Sequence, residues 1–246
     1  MIEILRLATA DDVAQEAASR AAQDIFATQA AHKPAVFVLA GGRLPPVAAL
    51  ILAQKYTSTF NWSQVTFLIG DERCAPRDSP DASWNAFAPL FAAHPEIPAE
   101  HRVRPHSEKS AEAAAADYEH AVQAVPGGMF THLWLGMGED GHTLSLFPGN
   151  PAATEQTSKL VAAVHDSPKP PADRITFTYA ALRKAQSAVV FITGASKAPV
   201  LKQIADGDHS LPIVTASQTI AKAGGHVTWI IDDEAASLLD NQELKI

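Results

Sequence analysis

The sequence predicts an α/β fold: a Rossmann-like, three-layer arrangement with a largely parallel sheet and helices on both faces. Apolar runs of strand length alternate with helix-length periodic segments from end to end, the order that crossover connections give a parallel sheet. Several of these runs empty into glycine-bearing loops, where open α/β sheets place their sites. Across 246 residues, 47% are hydrophobic. That is enough for the core of one large domain spanning 1–246.

Taken in order, Ile2–Leu7 alternates as a strand, and Thr9 with Asp12 forms a capping box for a helix from Asp11 to about Ala31. Ala35–Ala40 is a buried strand that ends in Gly41-Gly42-Arg43-Leu44-Pro45-Pro46, with a helix to about Tyr56. Val65–Ile69 is the next strand. It ends in the loop Gly70-Asp71-Glu72-Arg73-Cys74. Ser83–Ala93 and Ala111–Val125 are helical. A strand from Thr131 runs into Gly136, and a short helix capped by Thr143 or Ser145 ends at Phe147-Pro148-Gly149. Ser167-Pro168-Lys169-Pro170-Pro171 is a loop. Arg174–Thr178 is a strand followed by a short helix near Leu182. Ala188–Thr193 is another strand, and Gly194-Ala195-Ser196-Lys197 opens a helix to about Ala205. Leu211–Ala216 and His226–Ile231 complete the strands before an acidic helical tail.

Composition excludes whole classes of function. The formal charge is −8, from 27 acidic and 19 basic residues, which disfavours non-specific binding to nucleic acid or anionic membrane. Cys74 is the one cysteine, so there is no intramolecular disulfide and no cysteine-rich zinc site. The histidines show no metal-ligand spacing. No apolar run spans a bilayer, and the first residues are too few and too acidic for a signal peptide. A cytoplasmic protein, a monomer or small homo-oligomer, without a metal site, is the expectation.

The chemistry concentrates in Thr131–Gly149, where an apolar strand runs into Gly136, Gly138 and Gly141 and then His142. G-M-G-E-D-G formally matches a dinucleotide fingerprint, but Glu139 and Asp140 would repel a pyrophosphate. The glycines instead shape the backbone, and His142 carries acid–base chemistry near neutral pH, with Asp140 orienting it or shaping the turn. Gly41 and Gly42 open a helix, so their N–H groups suit an anion. Arg73, Arg174 and Lys197 stand at loop or strand ends. In an acidic chain these cations together predict a phosphate pocket. Asp71 and Glu72 bind sugar hydroxyls or, preferably, support Arg73. Cys74 is a half-buried free thiol rather than a nucleophile, and Ser145 lacks the glycines of a nucleophile elbow.

AGGRLP at Ala40, GDERCAP at Gly70, GMGEDGHTLSLFPG at Gly136, RITFT at Arg174 and GASKAPVL at Gly194 stand in the order of the 6-phosphogluconolactonase family, which the chain resembles over most of its length. The resemblance implies hydrolysis of 6-phosphoglucono-1,5-lactone to 6-phosphogluconate, the second step of the oxidative pentose phosphate pathway, at a metal-free and cofactor-free site. It implies His142 as general base, with Arg73, Arg174 and Lys197 on the phosphate and sugar and Gly41 and Gly42 donating N–H groups. Loop amides near Gly138–His142 are the candidate oxyanion donors.

Two departures stand out. Arg43-Leu44 replaces the Ser-Thr usual after the paired glycines, so Arg43 either substitutes charge for two hydroxyls or faces solvent. Ser83-Trp84-Asn85 separates a Ser-Asn pair and puts any contact by Asn85 in doubt. Glucosamine-6-phosphate deaminases share the histidine loop, but Ser145-Leu146-Phe147-Pro148 lacks their carboxylate. A sugar-phosphate sensor would need the pocket without His142, and normally a DNA-binding module, for which no segment is spare.

Overall fold

Ile2–Leu7 forms β1, and Thr9 closes it into helix α1 (Ala10–Ala30). The capping box is reciprocal: the Asp12 N–H donates to Thr9 Oγ1 at 3.2 Å, and the Thr9 N–H donates to Asp12 Oδ2 at 3.1 Å. The computed structural model describes residues 1–154, 157–239, 244 and 246. β2 (Ala35–Leu39) and β3 (Val65–Ile69) flank helix α2 (Leu44–Lys55), and every residue of both strands is buried. The remaining elements are β4 (Asp71–Arg73), α3 (Ala88–Ala93), α4 (Ala111–Gln123), β5 (His132–Gly136), α5 (Pro151–Thr154), β6 (Val161–Val164), β7 (Arg174–Phe177), α6 (Tyr179–Leu182), β8 (Ser187–Ile192), α7 (Ala198–Ala205), α8 (Pro212–Lys222) and β9 (His226–Asp232).

Among the described residues, six strands form a wholly parallel sheet in the order β1-β9-β8-β5-β2-β3. Side-chain alternation along these strands separates two cores. Phe37, Phe67, Trp134 and Phe191 pack with Val13, Ile25 and Leu52 from α1 and α2. Val38, Leu68, Leu135 and Val190 pack with Val122, Leu182, Leu201 and Ile220 from α4, α6, α7 and α8. The three layers therefore follow directly from the strand periodicity.

A second, antiparallel sheet in the order β4-β7-β6 was not legible in the sequence. The expected loop after β3 is largely strand β4: the chain turns at Gly70, whose carbonyl accepts the Phe177 N–H at 2.8 Å, and then pairs with β7. Leu211–Ala216 is not a strand but the beginning of α8, where Pro212 sits in the first helical turn and cannot donate to a sheet ladder. The expected short helix over 143–147 is absent. Leu144 adopts φ 53°, and Thr143 bridges Leu146 in a tight turn. The acidic tail is not helical where it is described: 233–238 form turns, and 240–243 and 245 lie outside the described residues. No helix among the described residues is long and apolar enough to cross a membrane.

Candidate active site

β2 and β5 are neighbours, yet the chain leaves them in opposite directions, from β2 out to β3 and from β5 out to β8. Their carboxyl ends therefore open a crevice at a topological switch point, the place where ligands enter open α/β sheets. A cleft of about 200 Å³ lies there, lined by Gly41, Gly42, Asp71, Arg73, Ser83, Gly138, His142, Lys169, Arg174 and Lys197 among others. Gly42 at the mouth of β2 has φ 109°, a conformation that side chains with a Cβ rarely adopt.

The histidine loop is fixed by its own hydrogen bonds. The Gly138 N–H donates to the His142 carbonyl at 2.8 Å, and the Gly141 N–H to the Gly138 carbonyl at 3.1 Å. The His142 N–H donates to Asp140 Oδ1 at 3.3 Å. These three amides are thus engaged within the loop, which corrects the expectation that they serve an oxyanion. His142 Nδ1 hydrogen-bonds Asp140 Oδ1. Burial raises the Asp140 carboxyl, but hydrogen bonds and charge from His142 outweigh it and bring the group down to about 2. An ionised carboxylate only accepts, so Nδ1 carries a proton and, in the neutral ring, Nε2 is the nitrogen with the free lone pair. Asp140 therefore orients the ring from outside the cleft lining. Glycine at 138 is a steric requirement, since a Cβ there would fall 2.0 Å from His142 Nδ1.

Arg73 and Arg174 reach the cleft from β4 and β7, where they are register partners. Arg73 Nη1 donates to the Asp81 carbonyl at 2.9 Å. Arg174 is almost fully buried, with its guanidinium over the Phe147 ring at 5.5 Å. It donates through Nη2 to the Lys169 carbonyl at 2.9 Å and through Nε to the Pro171 carbonyl at 3.3 Å. Burial pushes its guanidinium below the usual value; Asp71 opposes the shift, and Arg73 adds to it. Burial likewise lowers the Lys197 ammonium. Glu139 opposes that shift, whereas Lys169 and Arg43 reinforce it. Desolvated cations crowded this way gain from an anion placed among them.

Asp71 lines the cleft and accepts from Ser145 Oγ at 2.7 Å. Glu72 supports Arg73 through the backbone rather than an ion pair: its carboxylate accepts the N–H groups of Arg73, Ser83 and Trp84 at 2.8, 2.6 and 2.8 Å. Arg43 and Gly141 do not line the cleft. Arg43 is the exposed residue preceding α2, and Gly141 packs against Leu211. The Asn85 amide turns away, donating to the carbonyls of Arg77 and Ser79. Cys74 is a half-buried free thiol whose pKa burial pushes up to about 11. Ser83 and Lys169 line the cleft without having been read as ligands from sequence. Ser83 opens a short 3-10 helix (Ser83–Phe87) and Lys169 sits in a loop, and the place of each depends on tertiary bonds, namely Glu72 to the Ser83 N–H and Arg174 to the Lys169 carbonyl.

A histidine loop and an anion cleft at this switch point accord with one known family. The family of glucosamine-6-phosphate isomerases and 6-phosphogluconolactonase matches residues 8–229 of the chain. A probable 6-phosphogluconolactonase of Drosophila melanogaster is 36% identical over 204 residues, covering 82% of this chain and 81% of that protein. The 6-phosphogluconolactonase of Haemophilus influenzae is 32% identical over 230 residues, covering 92% and 97%. The solved structure of 6-phosphogluconolactonase from Trypanosoma brucei superposes with a TM-score of 0.83 at 25% identity, covering 97% of this chain and 99% of that one. The chain belongs to the glucosamine-6-phosphate isomerase/6-phosphogluconolactonase family.

Proposed function

We propose that this protein hydrolyses 6-phospho-D-glucono-1,5-lactone to 6-phospho-D-gluconate, with His142 as general base. One observation carries the reading: an imidazole with Nδ1 tied to an ionised carboxylate stands in a cleft walled by Arg73, Lys169, Arg174 and Lys197. The names of the relatives support the same substrate.

The cations and the Gly41 and Gly42 amides, which donate to no acceptor among the described residues, hold the phosphate. The lactone carbonyl then lies beside Nε2. Nε2 takes a proton from water as the water oxygen bonds to C1. The tetrahedral intermediate collapses with cleavage of the bond from C1 to the ring oxygen. The imidazolium returns its proton to that leaving oxygen, and a carboxylic acid and a free hydroxyl result. Asp140 stabilises the imidazolium between the two transfers.

The test is turnover of freshly generated lactone by wild-type protein and by His142→Ala. The expected result is rapid hydrolysis by the wild type and a kcat loss on the order of 10²- to 10⁴-fold in the variant, with KM little changed. Normal turnover by the variant removes His142 from the mechanism. A wild-type protein that binds phosphate without turnover is a sensor rather than an enzyme.

A further inference from the structure

We infer that Ser83 Oγ is a ligand of the substrate's phosphate group, a role that rests on the sugar-phosphate reading of the cleft. Ser83 is 7% exposed and lines the cleft. Its hydroxyl is buried without a hydrogen-bond partner among the described residues. Buried hydroxyls are almost always paired, so an orphan one facing a cavity marks a place where a ligand atom belongs.

The surrounding bonds fix this hydroxyl in place. The Ser83 N–H donates to Glu72 Oε1 at 2.6 Å and the neighbouring Trp84 N–H to Glu72 Oε2 at 2.8 Å. Glu72 is itself 2% exposed. Downstream, the Asn85 amide ties the turn to the carbonyls of Arg77 and Ser79 at 2.8 and 3.1 Å. A backbone held on both sides leaves the Ser83 side chain little freedom, and none of these bonds uses Oγ.

Gly41 completes the argument. A Cβ at that position would fall 2.9 Å from Ser83 Oγ, so the bare backbone there leaves the buried hydroxyl uncrowded beside the amides that precede α2. The two residues after the paired glycines are Arg43 and Leu44, which offer no hydroxyl. Ser83 supplies one from the turn that packs beside Gly41. As an O–H donor it bonds a phosphate oxygen, a charge-assisted contact worth roughly ten- to a hundredfold in affinity.

Calorimetry with 6-phosphogluconate and with inorganic phosphate, on wild type and Ser83→Ala, tests the role, with thermal melting of the free proteins alongside. The expected result is at least a tenfold loss of affinity for both ligands. Melting of the free variant should be unchanged or higher, because an unsatisfied buried hydroxyl has been removed. Unchanged affinity overturns the inference, as does a free variant that melts lower in proportion to its lost binding. Gly41→Ala, which crowds the same hydroxyl without removing it, should reproduce the loss, and full affinity there also overturns it. Wild-type protein that binds phosphate but leaves the lactone intact would refute the proposed activity while leaving Ser83 as a phosphate ligand. Failure of the wild type to bind either ligand overturns both.

Discussion

Arg73 and Arg174 stand directly opposite one another in the antiparallel pairing of β4 with β7. Like charges in such cross-strand positions oppose folding, and here one of the two is almost completely buried. The arrangement stores unfavourable electrostatic energy that a dianion between the two residues relieves. Phosphate should therefore raise the melting temperature saturably and far more than chloride at equal ionic strength, stabilising the fold by about 2.7 kcal/mol at a concentration of one hundred times Kd. Arg73→Ala should melt no lower than wild type without phosphate and lose most of the phosphate-dependent rise. Differential scanning fluorimetry reads both effects.

Arg174 is a brace as well as a cation. Its Nε and Nη2 hold carbonyls of the segment Lys169–Pro171, and Lys169 lines the cleft from that segment. Arg174→Lys retains the charge but loses the planar fork. The expected outcome is a KM for the phosphorylated lactone raised about tenfold, with faster amide hydrogen exchange over 167–172. A point-charge role alone would leave exchange unchanged.

Gly138→Ala places a methyl group where the His142 ring now lies, 2.0 Å from Nδ1. The ring must swing away, and Asp140 loses its partner. The variant should fold with a melting temperature close to wild type, since the position borders a cleft, and should lose kcat by about 10²-fold or more, because misplacing the base by an ångström is enough. Kinetics beside a melting curve separates this from simple unfolding.

Much of this was legible in the chain itself. Apolar runs such as Val65–Ile69 and Ala35–Leu39 are strands because strands buried on both faces tolerate little else. Glycine loops at their ends predicted the cleft, and the cations of Arg73, Arg174 and Lys197 do converge there. β4 was opaque because Asp-Glu-Arg has no strand signature and pairs only because β7 lies beside it. β6, Val-Ala-Ala-Val, is likewise too short and too rich in alanine to show a period. Leu211–Ala216 is a short apolar run, which periodicity cannot assign to strand or helix; its continuation to Lys222 decides for helix. Ser83 and Lys169 escaped because each is placed by a distant partner, Glu72 or Arg174, rather than by its own neighbours in sequence.

His165 bridges two carboxylates, with Nε2 on Glu112 at 2.9 Å and Nδ1 on Asp173 at 2.8 Å. A ring can donate to both only when protonated. The hydrogen bond to Asp173 is the main cause that raises its pKa above the ordinary 6.5. A raised folded pKa contributes stability that is full below about 6.5 and lost as pH rises through the folded value. Wild-type protein should therefore lose melting temperature as pH rises above about 6.5, and His165→Gln should flatten that dependence. The pair links α4 to the segment before β7, so the effect should be weakened by salt, since all three groups are substantially exposed.

Among the described residues, β1 pairs in the central sheet only with β9, with Ile2 beside Val227 and Leu7 beside Asp232. During synthesis β1 thus waits for β9 to follow it, and until then β8 presents a bare, apolar edge. A nascent chain arrested before β9 cannot bury that edge, so chaperone engagement and aggregation should concentrate in this late window of translation.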